Sequence, residues 1–138
     1  MTKQEIDFIV AGLVETVGSR NVHDIIDHLN IKVICDAPID TLFIRYNEKE
    51  YIFLSKDTPN EMIEFSLAHE IGHAVLHDVE MWVLSKLDSS KHKYELEADY
   101  FAFKLLNKEI DLSYNYTAEQ YAKDLCVSEK VIKYVVGE

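Results

Sequence analysis

Apolar residues recur three and four apart near the start of the chain, at Ile6, Ile9, Val10, Leu13, Val14 and Val17. That spacing predicts a helix over 2–17, with Thr2 as its cap and Glu5 three residues on, as a capping box requires. Gly18-Ser19-Arg20 breaks it. Asn21 then caps a short helix through Leu29, with Val22, Ile25, Ile26 and Leu29 inward. From Ile31 the period shortens. The β-branched run Ile31–Cys35 predicts a strand that ends at Asp36-Ala37-Pro38. Thr41 to Tyr46 and Glu50 to Leu54 predict two more strands around a turn at Asn47-Glu48-Lys49. A small antiparallel sheet of three strands is expected from these runs.

A long helical pattern follows from Pro59 to His77, with Met62, Phe65, Ala68, Gly72, Val75 and Leu76 on its apolar side. Thr58 is the expected N-cap, Pro59 the first helical residue and Glu61 the capping-box partner, with Asp57 as a competing cap. Asp78 to Ser90 reads as a loop carrying a hydrophobic patch, Met81 to Leu84, suited to a short strand or a lid at a substrate edge. Another helix is expected from Lys91 or His92 to Leu106, packing through Tyr94, Leu96, Ala98, Phe101, Ala102 and Leu105. Thr117 and Gln120 form a second capping box, and Ser128 caps a last helix through Val136.

Composition narrows the class. The chain has 138 residues, enough for one domain over 1–138 with its own core and a short helical tail from about residue 117. Its formal net charge is −11. Phosphate contacts need clustered positive charge, so direct nucleic-acid binding is disfavoured. The tail admits a helix-turn-helix on pattern, but Glu119, Asp124 and Glu129 suit phosphate poorly, and packing is the expected role. An acidic surface favours a basic protein partner, and simple solubility explains the charge equally well. No apolar run reaches membrane-spanning length and no signal-peptide pattern opens the chain, so cytoplasmic residence and no membrane contact are expected. Cys35 and Cys126 form no disulfide framework, and buried, reduced thiols are expected.

The chemistry concentrates in His69-Glu70-Ile71-Gly72-His73, an H-E-x-x-H placed within the long helix. Residues four apart share a helix face, so the two imidazoles can meet one zinc ion. Glu70 begins about 100° further round, where a carboxylate can take a proton from metal-bound water. Gly72 lets another element approach. The plainer alternative is a coincidental motif on a solvated face, which the capped amphipathic setting disfavours. Hydrolytic zinc sites commonly take three protein ligands. Tyr94-Glu95-Leu96-Glu97-Ala98-Asp99 offers the third. Glu95 and Asp99 share a face, so Glu95 as ligand puts Asp99 beside a ligating imidazole, whose other ring N–H it can accept. Glu97 as ligand is the alternative, and it leaves Asp99 without that role. With Glu95 ligating, Glu97 is expected to be solvated or paired to lysine. His77, Tyr94 and Tyr100, with His92, are candidate substrate or transition-state contacts, against a plainer reading as packing or rim residues. His23 and His28 read as surface residues.

The H-E-x-x-H stretch, together with Glu95-Leu-Glu-Ala-Asp-Tyr-Phe-Ala102 and Leu105-Leu106, resembles the ImmA/IrrE family of zinc metallopeptidases, in the compact form found in phages and mobile elements. The resemblance covers most of the chain. It implies an α+β, zincin-like fold with a small antiparallel sheet packed on the H-E-x-x-H helix and a second metal-ligand helix. It also implies one Zn2+ ion on His69, His73 and Glu95, Glu70 as base, Asp99 beside a ligand, and a gluzincin-like endopeptidase. The implied substrate is a basic helix-turn-helix repressor of a prophage or mobile element. The runner-up is a non-proteolytic, repressor-binding or antitoxin-like protein with structural zinc. One departure is visible. Many relatives continue with leucine-leucine-methionine-proline, where this chain has Leu105-Leu106-Asn107-Lys108.

Overall fold

The computed structural model describes residues 1–78 and 90–137. The Met81–Leu84 patch therefore lies outside the described residues. Helix α1, Lys3–Val17, carries the expected capping box: Thr2 accepts from the Glu5 amide, and Glu5 accepts in turn from the Thr2 amide. Gly18 ends it at φ 80°, a left-handed conformation that glycine adopts without penalty. Helix α2, Val22–His28, is capped by Asn21 through bonds from His23 and Asp24.

The sheet differs from the expected antiparallel arrangement. Strands β1 (Ile31–Ala37), β2 (Leu42–Tyr46) and β3 (Lys49–Ser55) lie in the order β1-β3-β2. The β2–β3 pair is an antiparallel hairpin running from Leu42↔Phe53 to Tyr46↔Lys49. Asn47 and Glu48 both have positive φ, as a tight two-residue hairpin loop requires. The β1–β3 pair is parallel, from Ile31↔Glu50 to Ile34↔Phe53, with a register shift before Ala37↔Ser55. Parallel pairing usually needs a helical crossover. Here β2 carries the chain back, so β3 can enter between its two predecessors. Hairpin patterning cannot reveal this, because β1 is equally β-branched whichever neighbour it pairs with. β1 is an edge strand, and its Cys35 is exposed while Cys126 is half-buried. Both thiols are free, but the expectation that both are buried fails.

A 3-10 turn at Asn60–Met62 leads into α3, Ile63–Leu76. The expected Thr58–Glu61 capping box is not made: Pro59 caps the turn, and neither cap makes a side-chain bond. The Thr58 hydroxyl instead faces Thr41 Oγ1 at 3.5 Å, tying the helix entry to the residue that precedes β2. Helix α4, Ser90–Leu105, packs on α3. Then come a 3-10 turn at Leu112–Tyr114, α5 (Ala118–Leu125) and α6 (Glu129–Val136). Thr117 and Gln120 make the second capping box, and Ser128 caps α6. The tail helices bury Tyr121, Val131 and Ile132 in the common core with Ile6, Ile25, Phe43, Ile52, Ile71 and Phe101. No described helix is long and apolar enough to cross a membrane.

Gly72 sets the distance between α3 and α4. A Cβ there would stand 3.2 Å from Ala98 Cα, from Ala98 O and from Phe101 Cδ1. Two of those neighbours are backbone atoms and cannot rotate away. Overpacking costs about 1–3 kcal/mol, while alanine gains about 1 kcal/mol of helix propensity over glycine. Gly72→Ala is therefore expected to destabilise the fold by about 1 kcal/mol. Urea unfolding midpoints at unchanged slope would measure it, and a stabilised variant would contradict the packing argument.

Candidate metal centre

Close contact of α3 and α4 brings three donor atoms together. His69 Nε2 lies 3.1 Å from His73 Nε2. Glu95 Oε1 lies 2.9 Å from His73 Nε2, and Glu95 Oε2 lies 3.5 Å from His69 Nε2. A tetrahedral zinc with bonds of about 2.0–2.1 Å separates its ligands by about 3.3 Å. The N, N, O set at 2.9–3.5 Å thus fits such an ion in both spacing and chemistry. His69, Glu70 and His73 also form a cluster with ligand atoms all within 4.8 Å of one another. Glu70 Oε2 is nevertheless 3.8 Å from His69 Nε2, further out than either Glu95 oxygen is from its nearer imidazole.

The two imidazoles are held differently. His69 Nδ1 is 2.6 Å from Asp99 Oδ1. The other Asp99 oxygen accepts from Ser128 Oγ at 2.8 Å, and the same hydroxyl accepts from the Val131 amide. The cap of α6 is therefore built into the support of His69. His73 Nδ1 is 2.9 Å from His77 Nδ1, and His77 Nε2 is 2.9 Å from Glu97 Oε1. Glu97 Oε2 lies 2.9 Å from the Met1 α-ammonium.

The charges follow from these contacts. Burial by itself pushes the His69 imidazole down. Its bonds to Asp99 and Glu95, with the nearby Glu70 charge, outweigh burial and raise it well above its ordinary value. His73 is pushed down to about 4, chiefly by burial, against the pull of Glu95. Burial also lowers His77. Burial would raise Glu95, but hydrogen bonds from both imidazoles hold it far below the usual carboxylate range. The site thus presents a carboxylate and a neutral buried imidazole, two groups in the state metal ligation requires.

A cleft of about 440 Å3 borders the site, lined by residues 39–42, Glu70, Lys91 and Glu95. Glu70 is 5% exposed, at the cleft's inner wall. The remaining candidate residues lie elsewhere. His77 is buried behind His73, with Tyr94 packed on it at a ring separation of 4.7 Å. Tyr100 is buried and its hydroxyl donates to Asp7 at 2.7 Å; burial and that neighbouring carboxylate push the phenol well above its ordinary value. His92, His23 and His28 are exposed.

Glu97 departs from the solvated or lysine-paired role expected of it. It is 4% exposed and bonded to His77. Helical geometry puts it about 200° round α4 from Glu95, so the face carrying Glu95 and Asp99 gives no sign of it. It is reached because His77 caps α3 with extended backbone, φ −122° and ψ 141°. The repetition of histidine at 69, 73 and 77 was the available signal for this second set of contacts.

A family model described as Peptidase_M78, the IrrE N-terminal-like domain, matches residues 26–135. No curated protein matches the chain significantly.

Proposed function

Because this chain belongs to the Peptidase_M78 family, a family of metallopeptidases, we propose that it is a gluzincin-like, zinc-dependent endopeptidase with one Zn2+ held by His69, His73 and Glu95. The observation that carries the ligand assignment is the meeting of two imidazole nitrogens and a carboxylate within 2.9–3.5 Å. When bound, the ion polarises the scissile carbonyl and makes an attacking water acidic.

The chain's own groups do the rest. Glu70 lines the cleft beside the ligand cluster, so it accepts the water proton and returns it to the leaving amide nitrogen. Asp99 accepts the His69 Nδ1–H, which turns the Nε2 lone pair towards the ion. The peptide is bound between residues 39–42 and the helix that carries Lys91. Side-chain burial excludes bulk water from His73 on the far side.

The substrate we propose is a basic helix-turn-helix repressor of a prophage or mobile element, cut within a bacterial or phage-infected cytoplasm. A net charge of −11 favours encounter with a basic protein. The test is incubation of the zinc-loaded protein with purified repressors encoded beside it. Discrete fragments, lost on chelation and regained with zinc, are expected. Stable binding of an uncut repressor under the same conditions would favour an antitoxin-like interaction protein instead.

A further inference from the structure

We infer that His77 and Glu97 are positioning residues that orient His73 for metal binding, a second support independent of the Asp99 bond to His69. The inference rests on the ligand assignment above and extends it to residues behind the site.

Three contacts carry it. His73 Nδ1 and His77 Nδ1 stand 2.9 Å apart, His77 Nε2 and Glu97 Oε1 stand 2.9 Å apart, and all three side chains are buried. Two ring nitrogens at that distance share one proton, so one donates and the other accepts. With Glu97 Oε1 accepting and one proton on each imidazole, one arrangement satisfies every contact. His77 Nε2–H donates to Glu97. His77 Nδ1 is then the acceptor, so the proton in the shared contact belongs to His73 Nδ1. His73 Nε2 keeps its lone pair, directed at His69 and Glu95. The buried carboxylate thus fixes the tautomer of His73 through His77.

The cost of the arrangement argues against incidental packing. A carboxylate that is 4% exposed is expensive to desolvate and is tolerated when paired and hydrogen-bonded. His77 uses both ring nitrogens on these partners and meets His73 at Nδ1, whereas His69 and Glu95 meet it at Nε2. This geometry suits orientation of His73 rather than contact with substrate.

Zinc affinity, measured by competition with a chromophoric chelator, tests the inference without any cleavage assay. His77→Phe keeps ring volume but no nitrogen, and His77→Asn keeps an acceptor at the position of Nδ1. Folding is checked by circular dichroism. His77→Phe is expected to weaken zinc binding about 10–100-fold, as loss of such partners does elsewhere. His77→Asn should recover most of that loss. Glu97→Gln should weaken binding alone but add little to His77→Phe, because it acts through His77. Wild-type affinity in folded His77→Phe, equal weakening in His77→Asn, or fully additive effects would each overturn the inference. If His77→Phe does not fold, the affinity of His77→Asn against Glu97→Gln decides, since only a relay through the Nδ1 acceptor spares the former. Failure of the ligand assignment looks different: Glu95→Ala would then bind zinc as tightly as the unaltered protein.

Discussion

Glu70→Gln is expected to lose at least about 100-fold in peptide cleavage while binding zinc almost unchanged, since a positioned general base contributes about 10²–10⁴-fold. The substitution preserves shape and one acceptor oxygen but removes the basic site. Glu70 Oε2 is 3.8 Å from His69 Nε2, further from the ligand cluster than Glu95, so zinc retention is the expected companion result. The two readouts together separate a base from a ligand. Loss of zinc along with cleavage would move Glu70 into the metal's coordination sphere. Unimpaired cleavage of a purified repressor would remove it from the chemistry.

Glu95→Ala is expected to weaken zinc binding by more than about 100-fold, beyond the 10–100-fold that outer hydrogen-bond partners cost. The two oxygens of this carboxylate stand 2.9 Å from His73 Nε2 and 3.5 Å from His69 Nε2, so its charge reaches both imidazoles. Without it the site is left with two imidazoles and no third ligand from α4. Glu95 is also the most exposed of the three, at 38% of its side chain, so truncation should cost little fold stability. Isothermal titration with zinc, set against thermal unfolding of the metal-free protein, distinguishes a ligand from a structural residue. Equal affinity in the variant would exclude Glu95 as a ligand.

Much of this centre was legible in the sequence because its spacing is helical. His69 and His73 are four apart, and so are Glu95 and Asp99, so each pair must share a face of its helix. Gly72 signalled that a second element could come close, and Ala98 is the residue that does. The caps at Thr2, Asn21, Thr117 and Ser128 were legible for the same local reason. Long-range placement was not. The parallel β1–β3 pairing depends on which edge the hairpin presents, and strand composition is silent on that. Thr58 was drawn from its local capping position by Thr41, a partner seventeen residues away. Glu97 lies on a face that no periodicity connected to the histidines, and only the extended backbone at His77 brings them together. Ser128 was readable as a cap, but its second bond, to Asp99, joins the tail to the candidate metal centre through tertiary packing alone.

The central claim is that two separate helices supply one cation with its ligands. Anomalous diffraction at the zinc edge, on crystals of the zinc-loaded protein, tests it most directly. The expected result is a single strong peak bonded to His69 Nε2, His73 Nε2 and a Glu95 oxygen, with Glu70 beside it but unbonded. A peak held by any other set of side chains, or one that spans only the α3 residues and leaves Glu95 turned away, would contradict the account.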